Sequence, residues 1–161
     1  MKLYLIGMPL SGKSYIGLEV AKKLNLAFID LDSFIESKTH KTIEDIFKFE
    51  GEQVFRTYET DSLSALIDKD NVVISTGGGI VKNKDNKSLM NGIIIYINTD
   101  IEILEERGNH SYPRPLLQKT SLYDLFNERS HLYEEFMTYK VENNGLMEET
   151  VKKIVDILGG N

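Results

Sequence analysis

Gly7, Gly12, Lys13 and Ser14 stand at the spacing G-x-x-x-x-G-K-S/T within the stretch GMPLSGKS, the pattern of a loop that wraps phosphate. The chemistry requires those residue types. Glycines let backbone N–H groups close around phosphate oxygens, and the N-terminus of a following helix adds its positive end. Lys13 would reach the phosphate being transferred, and the Ser14 hydroxyl is a hard-oxygen ligand for Mg2+. The run Leu10, Ser11, Gly12, Lys13, Ser14 and Tyr15 is therefore expected at a nucleotide, ATP in the case of a kinase.

Asp30 and Asp32 follow the short apolar run Ala27 to Ile29, and ligands of an α/β sheet gather at the carboxyl ends of its strands. Strand alternation would turn both carboxylates to one side. One could support Mg2+ through water while the other takes a substrate hydroxyl and its proton. The competing reading is that one of them caps a helix beginning near Ser33. Gly77, Gly78 and Gly79 end another apolar run, where missing side chains let a ligand ring approach the backbone. A tight turn is the plainer alternative, although three glycines exceed what a turn needs.

Of the 19 Lys and Arg residues only four are arginine: Arg56, Arg107, Arg114 and Arg129. Where lysine covers the surface, arginine is expected where its planar fork meets carboxylate or phosphate. A surface ion pair is the competing reading of any one of them. Arg114 sits in a polar, twice-prolined stretch and suits charge building on a transferring phosphoryl group. Arg56 and Arg129 suit a second substrate bearing a carboxylate, each charge-assisted bond contributing roughly 1.5–3 kcal/mol. His40, His110 and His131 have no metal-ligand spacing.

These residues need a scaffold of alternating strands and helices. Lys2 to Ile6 reads as a strand, followed after the loop by helix-periodic Ile16, Val20, Ala21 and Leu24. Ala27 to Ile29 and Val72 to Ser75 read as further strands, with a helical pattern from Ser33 to about Lys69 between them. Within it Thr42 is a plausible cap, and Ile46, Phe47, Val54 and Phe55 are expected to be buried. The unbroken apolar run in Gly92 to Asn98 marks a strand buried on both faces of a parallel sheet. A helix near 100–107 leads to a lid over 108–120, then a helix over Leu122 to Phe136, a weak strand at Tyr139 to Val141 and a closing helix from Glu148 to Leu158. The expected class is α/β, arranged as one domain over 1–161.

Composition narrows the function. A chain of 161 residues with 41% hydrophobic content is long enough for one well-buried core. A formal net charge of -6 argues against a nucleic-acid binder, whose affinity rests on surplus Lys and Arg. The absence of cysteine removes disulfides, thiolate metal sites and Cys nucleophiles, and suits the cytoplasm. The N-terminal apolar run ends in Gly and Lys rather than a cleavage site, and Ile93 to Ile97 falls far short of the roughly 20 residues of a membrane span. A soluble, cytoplasmic protein without a membrane partner is expected.

Taken together, GMPLSGKS, IDLD at 29–32, GEQVFR at 51–56, STGGG at 75–79, RPLL at 114–117 and ERSHLY at 128–133 resemble the shikimate kinase family, in order and spacing and over nearly the whole chain. The resemblance implies a three-layer P-loop kinase fold with a five-stranded parallel sheet of order 2-3-1-4-5, a shikimate-binding helical region at about 33–61 and a mobile lid. It implies that Asp32 contacts the ring hydroxyls and acts as base, and that Arg56 and Arg129 hold the carboxylate beside Gly78. Asp30 would support Mg2+ through water and Ser14 directly, Arg114 would be the lid residue at the phosphates, and Arg107 would lie against adenine. The implied reaction joins ATP and shikimate to give ADP and shikimate 3-phosphate, in a monomer that serves aromatic amino acid biosynthesis.

The chain departs from this pattern at Leu10, where relatives usually carry glycine, and Tyr15 is bulkier than expected. A φ above zero at Leu10 would strain it. Two other readings share the loop: a small-molecule kinase such as a gluconate kinase, and a sensor that binds nucleotide and acid without turnover. The glycine triplet and the Arg56 and Arg129 pair speak against the first, and Lys13, Ser14, Asp32 and Arg114 against the second.

Overall fold

The computed structural model describes residues 1–109 and 121–159. In chain order its elements are β1 (Lys2–Ile6), α1 (Lys13–Leu24), β2 (Ala27–Asp30), α2 (Leu31–Thr39), α3 (Ile43–Asp45), a π-helical turn (Ile46–Glu50), α4 (Glu52–Ala65), β3 (Val72–Ser75), a 3-10 turn (Ile80–Lys82), α5 (Asn86–Leu89), β4 (Ile93–Asn98), α6 (Ile101–Gly108), α7 (Leu122–Phe136), β5 (Tyr139–Glu142) and α8 (Met147–Ile157). The strands form one parallel sheet in the order β2-β3-β1-β4-β5, as the family resemblance implies.

Every side chain of β1 is buried, because helices cover both faces of the sheet. Alternation divides the strands between two cores. Leu3, Leu5, Val73, Ile95 and Ile97 meet Ile16 and Val20 of α1 and Val151 and Ile154 of α8. Tyr4, Ile6, Ile74, Ile94 and Tyr96 meet α2, α4 and α7 through Leu31, Ile35, Phe55, Leu63, Leu125 and Tyr133. The periodic residues of α1 are therefore its sheet-facing stripe, with Leu24 half-buried at the end.

The long helical pattern expected from Ser33 to Lys69 is several pieces. His40 ends α2 in a left-handed conformation at φ 58, and Gly51 at φ 91 separates the π-helical turn from α4. Thr42 caps the short α3, accepting a bond from the Asp45 amide at 3.1 Å. The Gly51 amide donates to the Ile46 carbonyl at 2.9 Å, the five-residue step that widens the turn. Ile46 is thereby buried, Phe47 is half-buried against Phe55 at 4.8 Å between ring centroids, and Phe49 is turned outward and 73% exposed.

A further correction concerns Asp32. It lies in the first turn of α2 rather than on the strand, so strand alternation does not set its direction. Asp30 is the residue that caps the helix, accepting from the Ser33 amide at 3.1 Å through Oδ1. The helix then carries Asp32 back over the carboxyl end of the sheet. None of the described helices is long and apolar enough to cross a membrane.

Candidate active site

Parallel register brings the carboxyl ends of all five strands to one edge, where the loops after β1 and β3 and the start of α2 after β2 bear the site residues. After β1 the loop closes on itself. The Lys13 ammonium lies 2.9 Å from the carbonyl oxygens of both Gly7 and Met8. Two outside side chains hold the next carbonyls: Arg107 Nη1 donates to Leu10 at 2.9 Å, and Asn143 Nδ2 donates to Ser11 at 2.8 Å. Asn143 is fully buried and also bonds Thr99 and Thr150, which ties the loop to the ends of β4 and β5.

Leu10 adopts φ 70, so the departure noted in the sequence does fall in the left-handed region. That conformation costs a non-glycine residue roughly 1–2 kcal/mol. The Arg107 bond to its carbonyl and the packing of its side chain at the core's edge offset the strain. Arg107 thus acts first on the loop itself.

The glycine triplet after β3 faces charged groups at each position. A Cβ at Gly77 would lie 3.1 Å from Glu59 Oε2 and 3.4 Å from Asp32 Oδ1. At Gly78 it would meet Pro9 Cδ at 2.8 Å and Arg129 Nη1 at 3.3 Å, and at Gly79 it would overlap the Arg56 guanidinium. None of the three has a positive φ, so close approach rather than backbone freedom requires them. A turn is present as well, with the Ile80 amide donating to the Gly77 carbonyl at 3.2 Å.

Arg56 and Arg129 share this locale but differ in their partners. Arg56 Nε and Nη2 both donate to Glu52 Oε2 at 3.2 Å, and Nη1 donates to Glu59 Oε1 at 2.8 Å. Arg129 is 1% exposed, and among the described residues its Nε and Nη2 have no hydrogen-bond partner. A buried guanidinium with idle donors is costly, which marks the place for an anion. Tyr133, one turn further along α7, donates to the Gly78 carbonyl at 2.6 Å and fixes the helix to the triplet.

Glu59 was missed in the sequence. It is 1% exposed, its Oε2 has no hydrogen-bond partner among the described residues, and burial pushes its carboxyl up to about 7 despite the opposing Arg56. The available signal was its place three residues after Arg56, on the same helix face. Ser14 and Asp30 lie together across the site, the hydroxyl donating to Asp30 Oδ2 at 2.5 Å. A cavity of about 160 Å³ joins the phosphate loop to Asp30, Asp32, Gly77 and Gly78. Larger cavities of about 520 Å³ outside Arg56 and about 600 Å³ between α1 and α8 lack this convergence of groups. Tyr15 borders the small cavity and reaches Glu148 at 3.4 Å. Arg114 and the expected lid, save its first residues, lie outside the described residues.

Known proteins resemble this chain over nearly its whole length. The family model for shikimate kinase matches residues 9–159. A shikimate kinase of Clostridium botulinum strain Alaska E43 is 40% identical, with 99% of this chain and 98% of that protein covered. A solved shikimate kinase from Acinetobacter baumannii in complex with shikimate superimposes with a TM-score of 0.91 at 36% identity, covering 98% of this chain and 92% of that one. A gluconokinase from Sinorhizobium meliloti has a TM-score of 0.64 at 15% identity over 98% of this chain and 95% of its own, a likeness of fold alone.

The raised carboxyl of Glu59 predicts a pH dependence of stability. The folded protein keeps a proton there that the unfolded chain releases near 4.5, so the stabilisation is complete below that value and lost as pH rises through about 7. Thermal unfolding across pH 5–8 should show a downward slope that Glu59→Gln flattens. Parallel slopes in the two proteins would mean that Glu59 does not titrate in this range.

Proposed function

The chain belongs to the shikimate kinase family, and from that premise we infer that Arg129 and Arg56 hold the acceptor's carboxylate while Asp32 takes the proton of its reacting hydroxyl. The protein transfers the γ-phosphoryl group of ATP to the 3-hydroxyl of shikimate, giving shikimate 3-phosphate and ADP. The observation that carries the residue assignment is the buried Arg129 fork beside Gly78, whose Nε and Nη2 have no hydrogen-bond partner among the described residues and suit a carboxylate.

With the carboxylate at the arginines, the ring lies in the cavity that Gly77 and Gly78 border with Asp32. The 3-hydroxyl then faces Asp32. Its oxygen attacks the γ-phosphorus, the bond from that phosphorus to the bridging oxygen of ADP breaks, and the hydroxyl proton passes to the Asp32 carboxylate. Leu10, Ser11, Gly12, Lys13, Ser14 and Tyr15 line the nucleotide side. Lys13 balances charge at the phosphates, and Arg114 does so from the lid over 108–120. Arg107 lies against adenine while it keeps its bond to the Leu10 carbonyl.

Mg2+ suits the donors at Ser14 and Asp30, an adjacent hydroxyl and carboxylate, because this ion takes hard oxygens and keeps several waters. Ser14 would bind it directly and Asp30 through water, and the ion would neutralise phosphate charge. Among the described residues no three His, Cys, Asp or Glu side chains are placed to hold a metal ion by themselves. The enzyme works as one domain and as a monomer in the cytoplasm, where ATP and Mg2+ are supplied, with 33–61 as the acceptor region.

ADP release with MgATP should depend on shikimate and not on gluconate. Nucleotide binding without acceptor-dependent turnover would favour a sensor instead. Asp32→Asn should lower kcat by roughly 10²-fold or more with ATP binding nearly unchanged, the scale of general-base effects. A kcat close to that of the wild type would reduce Asp32 to a structural residue. Arg129→Lys keeps charge but loses the fork, so the KM for shikimate should rise more than the KM for ATP. Equal changes would place Arg129 at the nucleotide.

A further inference from the structure

The two arginines assigned to the carboxylate stand on separate elements, Arg56 on α4 and Arg129 on α7; among the described residues no hydrogen bond or salt bridge joins the two helices directly, and the forks are coupled through the charge of Arg129 acting on Glu59 of α4. One ammonium group spans the gap. Lys82 Nζ bonds Glu52 Oε2 at 2.8 Å and pairs with Glu128 Oε1 at 3.4 Å. Glu52 is the same carboxylate that receives Nε and Nη2 of Arg56, and Glu128 is the residue beside Arg129. The backbone of Lys82 is itself anchored to the triplet, its amide donating to the Gly79 carbonyl at 3.0 Å.

We propose that Lys82 is a positioning residue for acceptor recognition, clasping α4 to α7 through Glu52 and Glu128 and so setting the separation of the two guanidinium groups. It touches neither substrate. Its action on Arg56 runs through Glu52, whose single Oε2 atom accepts from both Lys82 and Arg56. Without Lys82, Glu52 keeps Arg56 but loses its tether to the 3-10 turn, and α7 loses its ionic link to the same point. The cavity of about 520 Å³ outside Arg56 is lined by Glu52, Arg56 and Lys82, so the clasp forms part of its wall. Burial pushes the Glu52 carboxyl up, yet Lys82 and Arg56 together bring it below its ordinary value, as a shared anion between two cations requires. Lys82 is about a third exposed, so the clasp is a trimming device rather than a pillar of stability.

The inference rests on the reading of Arg56 and Arg129 as the carboxylate site. Steady-state kinetics should give Lys82→Gln a KM for shikimate about three- to tenfold higher, from the loss of two partly exposed ion pairs, with kcat and the KM for ATP nearly unchanged. Lys82→Arg should recover most of the loss, since it restores both pairs. Glu128→Gln should raise the same KM, and adding it to Lys82→Gln should cost less than the sum of the two. That variant also carries the test should Lys82→Gln fail to fold.

An unchanged KM for shikimate in Lys82→Gln, in a background where Arg129→Lys raises it, would overturn the clasp and leave the carboxylate site standing. Equal rises for shikimate and ATP would overturn it too, as a general loosening of the fold. If Arg129→Lys has no effect on the acid, the carboxylate site and the clasp fall together.

Discussion

Two backbones meet where β1 and β3 end, and the rest of the site is arranged around that meeting. Neighbouring parallel strands run about 4.8 Å apart, so the loops that leave them must share very little space. The Thr76 amide and hydroxyl both bond the Leu5 carbonyl, at 3.1 and 2.7 Å, which carries the β3 chain along β1 to its last turn. Pro9 then lies against Gly78 so closely that a Cβ there would collide. The phosphate loop and the acceptor loop are thus in contact, and a phosphoryl group passing between their ligands has little distance to travel. A glycine triplet is the sequence's answer to that crowding, and the side chains of Asp32, Glu59, Arg56 and Arg129 occupy the room it leaves.

Electrostatics in this space is asymmetric. Arg56 is held by carboxylates on both sides, whereas Arg129 is buried deeper with donors idle among the described residues. A fork that is already pinned sets orientation at little entropic cost on binding, and a fork with idle donors supplies the attraction. Glu59 moderates the pair. Burial favours its protonated form, and a neutral Glu59 leaves more of the arginine charge for an incoming anion. The cost of enclosing these groups falls on stability, while the gain appears on ligand binding.

The phosphate loop shows how a local rule can be broken where neighbours compensate. Leu10 is left-handed, a conformation relatives are expected to meet with glycine, yet its carbonyl is tied to Arg107 and the next carbonyl to Asn143. Both supports come from parts of the chain far away in sequence. Neither could have been found by reading the loop alone, and Asn143 has no motif to mark it.

Much of this protein was legible without coordinates. Spacing alone marked the phosphate loop, short apolar runs marked the strands and the 3.6-residue period most helices, and the scarcity of arginine picked out Arg56 and Arg129. Such features depend on residues near one another in the chain, where sterics and hydrogen bonding act locally. Tertiary structure decided the rest. The break of the 33–69 helical pattern turns on φ angles at His40 and Gly51, and the side of the sheet that Asp32 faces depends on where α2 starts. The burial that lifts Glu59 and the Lys82 link between α4 and α7 arise from elements that meet only after folding, since solvation and charge pairing depend on distance in space rather than along the chain.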